Sequence, residues 1–327
     1  MSRAIILDTD PGVGIPGTDA DDPLALLLAL GDPRLELLAV TTVFGNTPPQ
    51  LGARGAAAVL ATAGRTDVPV AAGMGCRLDG TLHPVLAEAY RGPRGREGAI
   101  ALPDLDRSVV DEHAVDLIIR TARERPGEVT VVAIGPQTNL AMALLKEPRL
   151  AEWLQAVVFM GGGLGLNATY GRGNITPVAE CNIHFDAPAA DVVFRSGVPL
   201  TMIGLDVTNP ATGVLLGTEA IGRVDPAGSP VARLFRSVCQ TYLDAPMFDW
   251  ADGCVLYDPL AVAAAADPNL GRYEDMALVV ETAGDHTLGQ TVPDPAGTPN
   301  VRVMVDVDGA AAVPPMLATM LSAGGTR

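Results

Sequence analysis

Lysine is almost missing from this chain. Lys146 stands alone among 22 basic residues, against 38 acidic ones, for a formal net charge of −16 over 327 residues. So acidic a balance excludes nucleic acid and an anionic membrane surface as principal partners, because neither polyanion is attracted to it. The bias toward arginine carries no functional reading and fits genomic composition. Cysteine is also scarce. Cys76, Cys181, Cys239 and Cys254 lie far apart with no C-x-x-C spacing, so neither a zinc site nor a disulfide framework is indicated. No apolar run, even that around 261–266, reaches the ~18 residues of a membrane span. The opening Met1-Ser2-Arg3-Ala4-Ile5-Ile6-Leu7-Asp8 breaks on a charge after a very short apolar run. That is not the form of a secretory signal, and a soluble cytoplasmic protein is expected.

What is present is a folded composition. Hydrophobic residues make up 48%, and 36 Gly with 27 Pro stay below the ~25–30% of low-complexity chains. Short apolar runs at 4–7, 35–44, 68–72, 129–134, 156–160, 200–205, 276–281 and 301–307 predict strands. Helical patterns at 23–30, 51–63, 110–123, 137–145, 187–195, 231–242, 259–266 and 311–321 alternate with them. Such alternation predicts βαβ units and an open, mostly parallel central sheet flanked by helices, an α/β fold with a Rossmann-like core. No repeat or linker divides the chain, so 1–327 is read as one domain. Two stretches without periodicity, 73–103 and 208–230, predict long functional loops.

Ligands in open α/β sheets bind beyond the carboxyl ends of strands, so the residues that follow each strand carry the information. After the first strand comes Asp8-Thr9-Asp10-Pro11-Gly12, then Asp19-Ala20-Asp21-Asp22. Later strands end at Gly45-Asn46, at Gly135-Pro136-Gln137-Thr138-Asn139 and at Gly161-Gly162-Gly163, while Asp258 precedes a helix. Acids so crowded repel one another unless a cation joins them, and hard divalent ions take oxygen ligands. Capping is the bland alternative. It suits Asp19 and Asp258, and it is the better reading of Thr138 and Asn139 at a helix start. Asn46 and Asn174 also suit turns, and Glu180 with Asn182 would share one face of an extended strand.

The motifs resemble, from end to end, those of the inosine–uridine-preferring nucleoside hydrolase family. They are Ile5-Ile6-Leu7-Asp8-Thr9-Asp10-Pro11-Gly12 with Asp21-Asp22, Ala39–Asn46, Gly135-Pro136-Gln137-Thr138-Asn139, Met160-Gly161-Gly162-Gly163, Gly173-Asn174, Pro177–Ile183, Gly204-Leu205-Asp206 and Asp258-Pro259-Leu260. The resemblance implies a homo-oligomeric (dimeric or tetrameric) N-ribohydrolase with a bound Ca²⁺, acting on ribonucleosides in purine or pyrimidine salvage. Asp10, Asp22 and Asp258 would be side-chain ligands, joined by the main-chain carbonyl of Ile134. Asp21, Asn46, Asn174, Glu180, Asn182 and Asp258 would hold ribose hydroxyls. Breaking the C1′–N bond gives the sugar oxocarbenium character, which carboxylates stabilise, while Asp10 takes a proton from water as general base.

Two departures from the family pattern stand out. The segment 13–20 is inserted before Asp21-Asp22, which leaves Asp19 as a competing ligand. Tyr257 stands where familiar members carry the histidine that protonates the departing base; a phenol, with a pKa of ~10, is the weaker acid. Tyr242, Trp250 and Tyr257 are then the candidates to meet the base, with His83, which precedes Pro84 in the long loop, read as a surface residue by position. His184 and His286 read as structural. Rival readings are a haloacid-dehalogenase-like phosphatase on Asp8-Thr9-Asp10, an idle nucleoside- or ribose-binding protein on the same fold, and dinucleotide binding at Gly161-Gly162-Gly163-Leu164-Gly165. The last fails on spacing, because Leu166 stands where its third glycine belongs.

Overall fold

The computed structural model describes residues 2–96, 109–166 and 172–325. Its strands are β1 (Arg3–Thr9), β2 (Leu35–Thr42), β3 (Val70–Ala72), β4 (Val109–Val110), β5 (Val129–Ala133), β6 (Leu154–Met160), β7 (Leu200–Ile203), β8 (Leu215–Gly217), β9 (Gly253–Val255), β10 (Arg272–Met276), β11 (Leu278–Val280), β12 (Thr291–Pro293) and β13 (Val301–Asp306). Nine of these form one sheet in the order β10-β13-β7-β6-β5-β1-β2-β3-β4. Every pairing in it is parallel except β10 with β13. The α/β expectation thus stands.

Alternation along the strands explains the two helical layers. Ile5, Leu7, Val132, Val158 and Met160 face one core, while Ile6, Val131, Ala133, Val157 and Phe159 face the other. Period-two side chains that are apolar on both faces need cover on both. Helices Asp21–Gly31, Pro49–Thr62, Pro230–Leu243, Tyr257–Ala266 and Gly309–Leu321 cover the first core. Ala114–Glu124, Thr138–Lys146 and Ala187–Phe194 cover the second. Among the described residues, no helix is long and apolar enough to cross a membrane.

From β1 the chain builds outward through β2 to β4, then returns to build β5, β6 and β7 on the other side. Order therefore reverses between β1 and β5, which opens a crevice beyond their carboxyl ends. Asp10 follows β1 and Ile134 follows β5.

Several local expectations are corrected. The predicted strand 276–281 is two strands, β10 and β11, which belong to different sheets. The predicted helix 110–123 starts only at Ala114, because Val109 and Val110 pair with β3. The stretch 208–230 contains β8 and the short helix Thr218–Gly222, and 73–103 contains Pro84–Ala89 and the turn Pro93–Gly95. Its part from 97 to 103 lies outside the described residues.

Candidate active site

A cavity of about 420 Å³ opens at the β1/β5 crevice, and every sequence-predicted site residue lines it. A larger one, of about 940 Å³, sits by Arg3, Leu200 and Val301 at the strands' starts and contains none of them.

The floor is acidic. Asp21 and Asp22 open the helix Asp21–Gly31, Asp258 lies in the first turn of Tyr257–Ala266, and Asp10 directly follows β1. One carboxylate oxygen from each of Asp21, Asp22 and Asp258 falls within 4.8 Å of the others, and all three are buried. Asp10 joins through its main chain, whose N–H donates to Asp22 Oδ1 at 3.0 Å. Thr9 Oγ1 donates to the same oxygen at 2.5 Å, and the Asn46 side chain donates to Asp22 Oδ2 at 3.0 Å. Burial, then mutual repulsion, pushes the carboxyls of Asp10, Asp21 and Asp258 well above their ordinary range. Burial also raises Asp22, against the hydrogen bonds from Thr9, Asp10 and Asn46. Buried oxygens crowded in this way fit a hard divalent cation, which restores the ionised state that burial opposes.

Capping does not explain these acids. The helix Asp21–Gly31 has no side-chain cap, and Leu256, before Asp258, supplies none either. Asn139, expected to cap, is instead a buried strut: its amide donates to Asp8 Oδ1 at 2.8 Å and to the Thr42 carbonyl at 3.0 Å, and its oxygen accepts from Met74 N at 2.8 Å. Thr138 donates to Asp186 Oδ2 at 2.8 Å rather than capping. Asp8 lies under the site, where burial lifts its carboxyl to about 6.

The side wall is polar and its hydrogen bonds leave complementary groups free. Glu180 and Asn182 do not share a strand face. Glu180 caps the short helix Cys181–Phe185, accepting from the N–H groups of Asn182 at 2.8 Å and Ile183 at 3.1 Å, and also from Gly162 at 3.0 Å. Burial lifts it to about 7 against those bonds. Asn182 spends its amide N–H groups on the carbonyls of Ile134 and Met160, both at 3.2 Å, which leaves its oxygen for a ligand. Asn174 accepts from Cys181 N at 2.9 Å, and among the described residues its amide N–H groups have no hydrogen-bond acceptor.

Opposite lies an apolar wall. Tyr242 is buried and stacks on Phe248 with ring centroids 4.0 Å apart. Trp250 and Met247 stand exposed at the mouth, at 52% and 61%. Trp250 is thus no part of the core. Burial, then the charge of Asp19, raises both Tyr242 and Tyr257, so the phenols stay protonated and act as hydrogen-bond donors. His83 does not line the cavity; it packs 5.2 Å from the rings of His184 and Phe185 and caps Pro84–Ala89. His184 is structural, as expected, through Nδ1 against the Leu288 carbonyl at 2.9 Å.

Sequence reasoning missed Arg94, whose guanidinium lines the cavity and donates to the carbonyls of Asn46 at 2.8 Å and Gly45 at 2.9 Å. Tyr90 braces the same turn, accepting from Gly45 N at 2.8 Å and donating to the Thr47 carbonyl at 2.9 Å. Neither carries a motif of its own. The signal was the loop length between β3 and β4.

With acids at a switch point, amides beside them and aromatics opposite, the comparisons with known proteins are decisive. The family model described as inosine-uridine preferring nucleoside hydrolase matches residues 5–313. The chain belongs to that family. It is a hydrolase of the N-glycosidic bond of ribonucleosides, releasing ribose and free base. It is 37% identical over 314 residues to a pyrimidine-specific ribonucleoside hydrolase, RihA, of Citrobacter koseri, covering 94% of this chain and 95% of that one. Among solved structures it resembles a purine-preferring ribonucleoside hydrolase from Gardnerella vaginalis, with 33% identity, 98% of each chain covered and a TM-score of 0.81. A plant nucleoside hydrolase matches with 31% identity over 100% of each chain and a TM-score of 0.81. The phosphatase and idle-binder readings are set aside. No helix starts among the glycines at 161–163, so the dinucleotide reading fails in structure as well.

Proposed function

We propose that this nucleoside hydrolase is a Ca²⁺-dependent, cytoplasmic salvage enzyme that works as a homo-oligomer, with 1–327 as one catalytic domain. The observation that carries the reading is the cavity at the β1/β5 crevice, acidic on its floor and aromatic on one wall. Asp10, Asp22, Asp258 and the Ile134 carbonyl would hold the ion, with Asp21 beside them. When bound, the ion would compensate the buried carboxylates and supply the positive charge that lowers the pKa of a nearby water.

The chain's own groups do the rest. Asp10 accepts the water's proton; its Oδ2 already takes the Asn46 N–H, and this bond fixes the direction of the carboxylate. Asp21, Asn46, Asn174, Asn182, Glu180 and Asp258 hold the ribose hydroxyls, the carboxylates accepting and the amides able both to donate and to accept. As C1′ turns cationic, the negative charge of Glu180 and the aspartates favours it. Trp250 stacks on the base at the mouth, and Tyr242 and Tyr257 donate hydrogen bonds to it.

The relatives' names divide between pyrimidine and purine, so base preference for this chain rests on its own wall of Tyr242, Phe248 and Trp250. A planar aromatic wall accepts either ring size. Ribose release from uridine, cytidine, inosine and adenosine, followed by a reducing-sugar assay, tests this: turnover of both classes supports it, and turnover of none contradicts it.

A further inference from the structure

The inserted loop 13–20 delivers a carboxylate that the sugar chemistry does not use. Thr18 Oγ1 donates to the carbonyls of Gly12 and Ile15, both at 2.7 Å, and Val13, Ile15 and Thr18 are buried, so the loop is braced from within. Asp19 N donates to Asn46 Oδ1 at 3.4 Å, which sets the residue at the cavity wall. Asp19 is half-buried there, and among the described residues no hydrogen-bond donor is directed at its carboxylate within bonding distance. Its charge acts on both Tyr242 and Tyr257, the phenols of the apolar wall. It therefore lies between the acidic floor and the space for the base.

Two further facts concern charge. Arg94 is the cationic side chain lining the cavity among the described residues, and its Nε–H and one Nη–H are committed to main-chain carbonyls. No imidazole or ammonium lines the cavity among those residues, so an anionic departing base meets only the phenols of Tyr242 and Tyr257, which burial makes weaker acids than free phenols.

We propose that Asp19 makes the base side of this pocket selective for nucleosides whose base carries a positive ring charge, of the ribosyl pyridinium class, over neutral nucleosides. This rests on the hydrolase reading and names its substrate class. In such a riboside the C1′–N electron pair withdraws onto the ring nitrogen and cancels its charge. Water oxygen bonds to C1′, and its proton passes to Asp10. The base leaves neutral and needs no proton. Asp19 attracts the cation before that bond breaks, so its contribution falls mainly on KM.

The test compares a ribosyl pyridinium (nicotinamide riboside as probe) with uridine, on the intact Ca²⁺-loaded protein. The expected wild-type kcat/KM favours the cation by about tenfold, and Asp19→Asn lowers that ratio about tenfold through KM, with Ca²⁺ affinity by calorimetry unchanged. A wild-type preference for uridine, or equal losses on both substrates, overturns the proposal; the wild-type comparison holds even if the variant folds poorly. Loss of Ca²⁺ affinity in the variant also overturns it, because Asp19 would then be a ligand of the ion. Ribose release from uridine but not from the pyridinium defeats this inference alone, whereas release from neither defeats the hydrolase reading with it.

Discussion

The main-chain N–H of Asn46 donates to Oδ2 of Asp10 at 2.5 Å, and nothing larger than glycine fits beside that bond. A Cβ on Gly45 would lie 1.9 Å from the same oxygen, and one on Gly135 would lie 2.8 Å from Oδ1. The glycines of two separate motifs thus make room for one carboxylate. Gly45→Ala is expected to displace Asp10 by roughly an ångström and to lower kcat by about 10²-fold with the fold retained, as steady-state kinetics beside circular dichroism would read. Wild-type turnover in a folded variant would mean that Asp10 is not held by this packing.

The buried carboxyls give stability a definite pH dependence. Burial lifts Asp8 to about 6 and Glu180 to about 7, and it raises Asp10, Asp21 and Asp258 well above the ordinary carboxyl range. Folded chains then hold protons that unfolded chains, with carboxyl pKa values of about 4, have lost, so metal-free stability falls as pH rises from about 4 through 7. Calcium needs the ionised forms and stabilises only the folded chain. The Tm difference between Ca²⁺ and EDTA should therefore widen from about pH 5.5 to about pH 8. A gap that stays constant or narrows would show that these acids do not bind the ion.

Asn139 ties β1, β2 and the turn at Met74 through one amide. Asn139→Ala leaves the Asp8 carboxyl and the Met74 N–H short of partners in a buried place, at a cost of about 2 kcal/mol in urea unfolding. A change under about 0.5 kcal/mol would return Asn139 to the role of an ordinary helix-start residue.

Trp250 stands exposed at the cavity mouth, and the proposed function gives it stacking on the base and no part in the bond cleavage. Trp250→Ala should raise KM about five- to tenfold and leave kcat within about twofold. A fall in kcat at constant KM would move Trp250 into the chemistry.

The sheet was legible because its strands are apolar on both faces and its helices recur between them. The crevice was legible because acids and amides cluster just where such strands end. What failed was local and has a tertiary cause. Asn139 sits at a helix start, where its side chain usually caps, yet Asp8 and Met74 reach it from elements far away in sequence. Glu180 and Asn182 have strand spacing, but the Glu180 carboxylate can satisfy several N–H groups at once only when the chain turns into a helix. Arg94 carried no pattern at all, because it bonds to main-chain carbonyls, which no sequence motif displays.

Ribose release from the preferred nucleoside by the wild-type protein and by Asp10→Asn, each assayed in EDTA and then with Ca²⁺ restored, probes the ion and the general base together. Chelation is expected to stop the wild type and Ca²⁺ to restore it, with Asp10→Asn about 10³-fold slower than the wild type once Ca²⁺ is restored. Undiminished turnover in EDTA, or an Asp10→Asn variant as fast as the wild type, would contradict it.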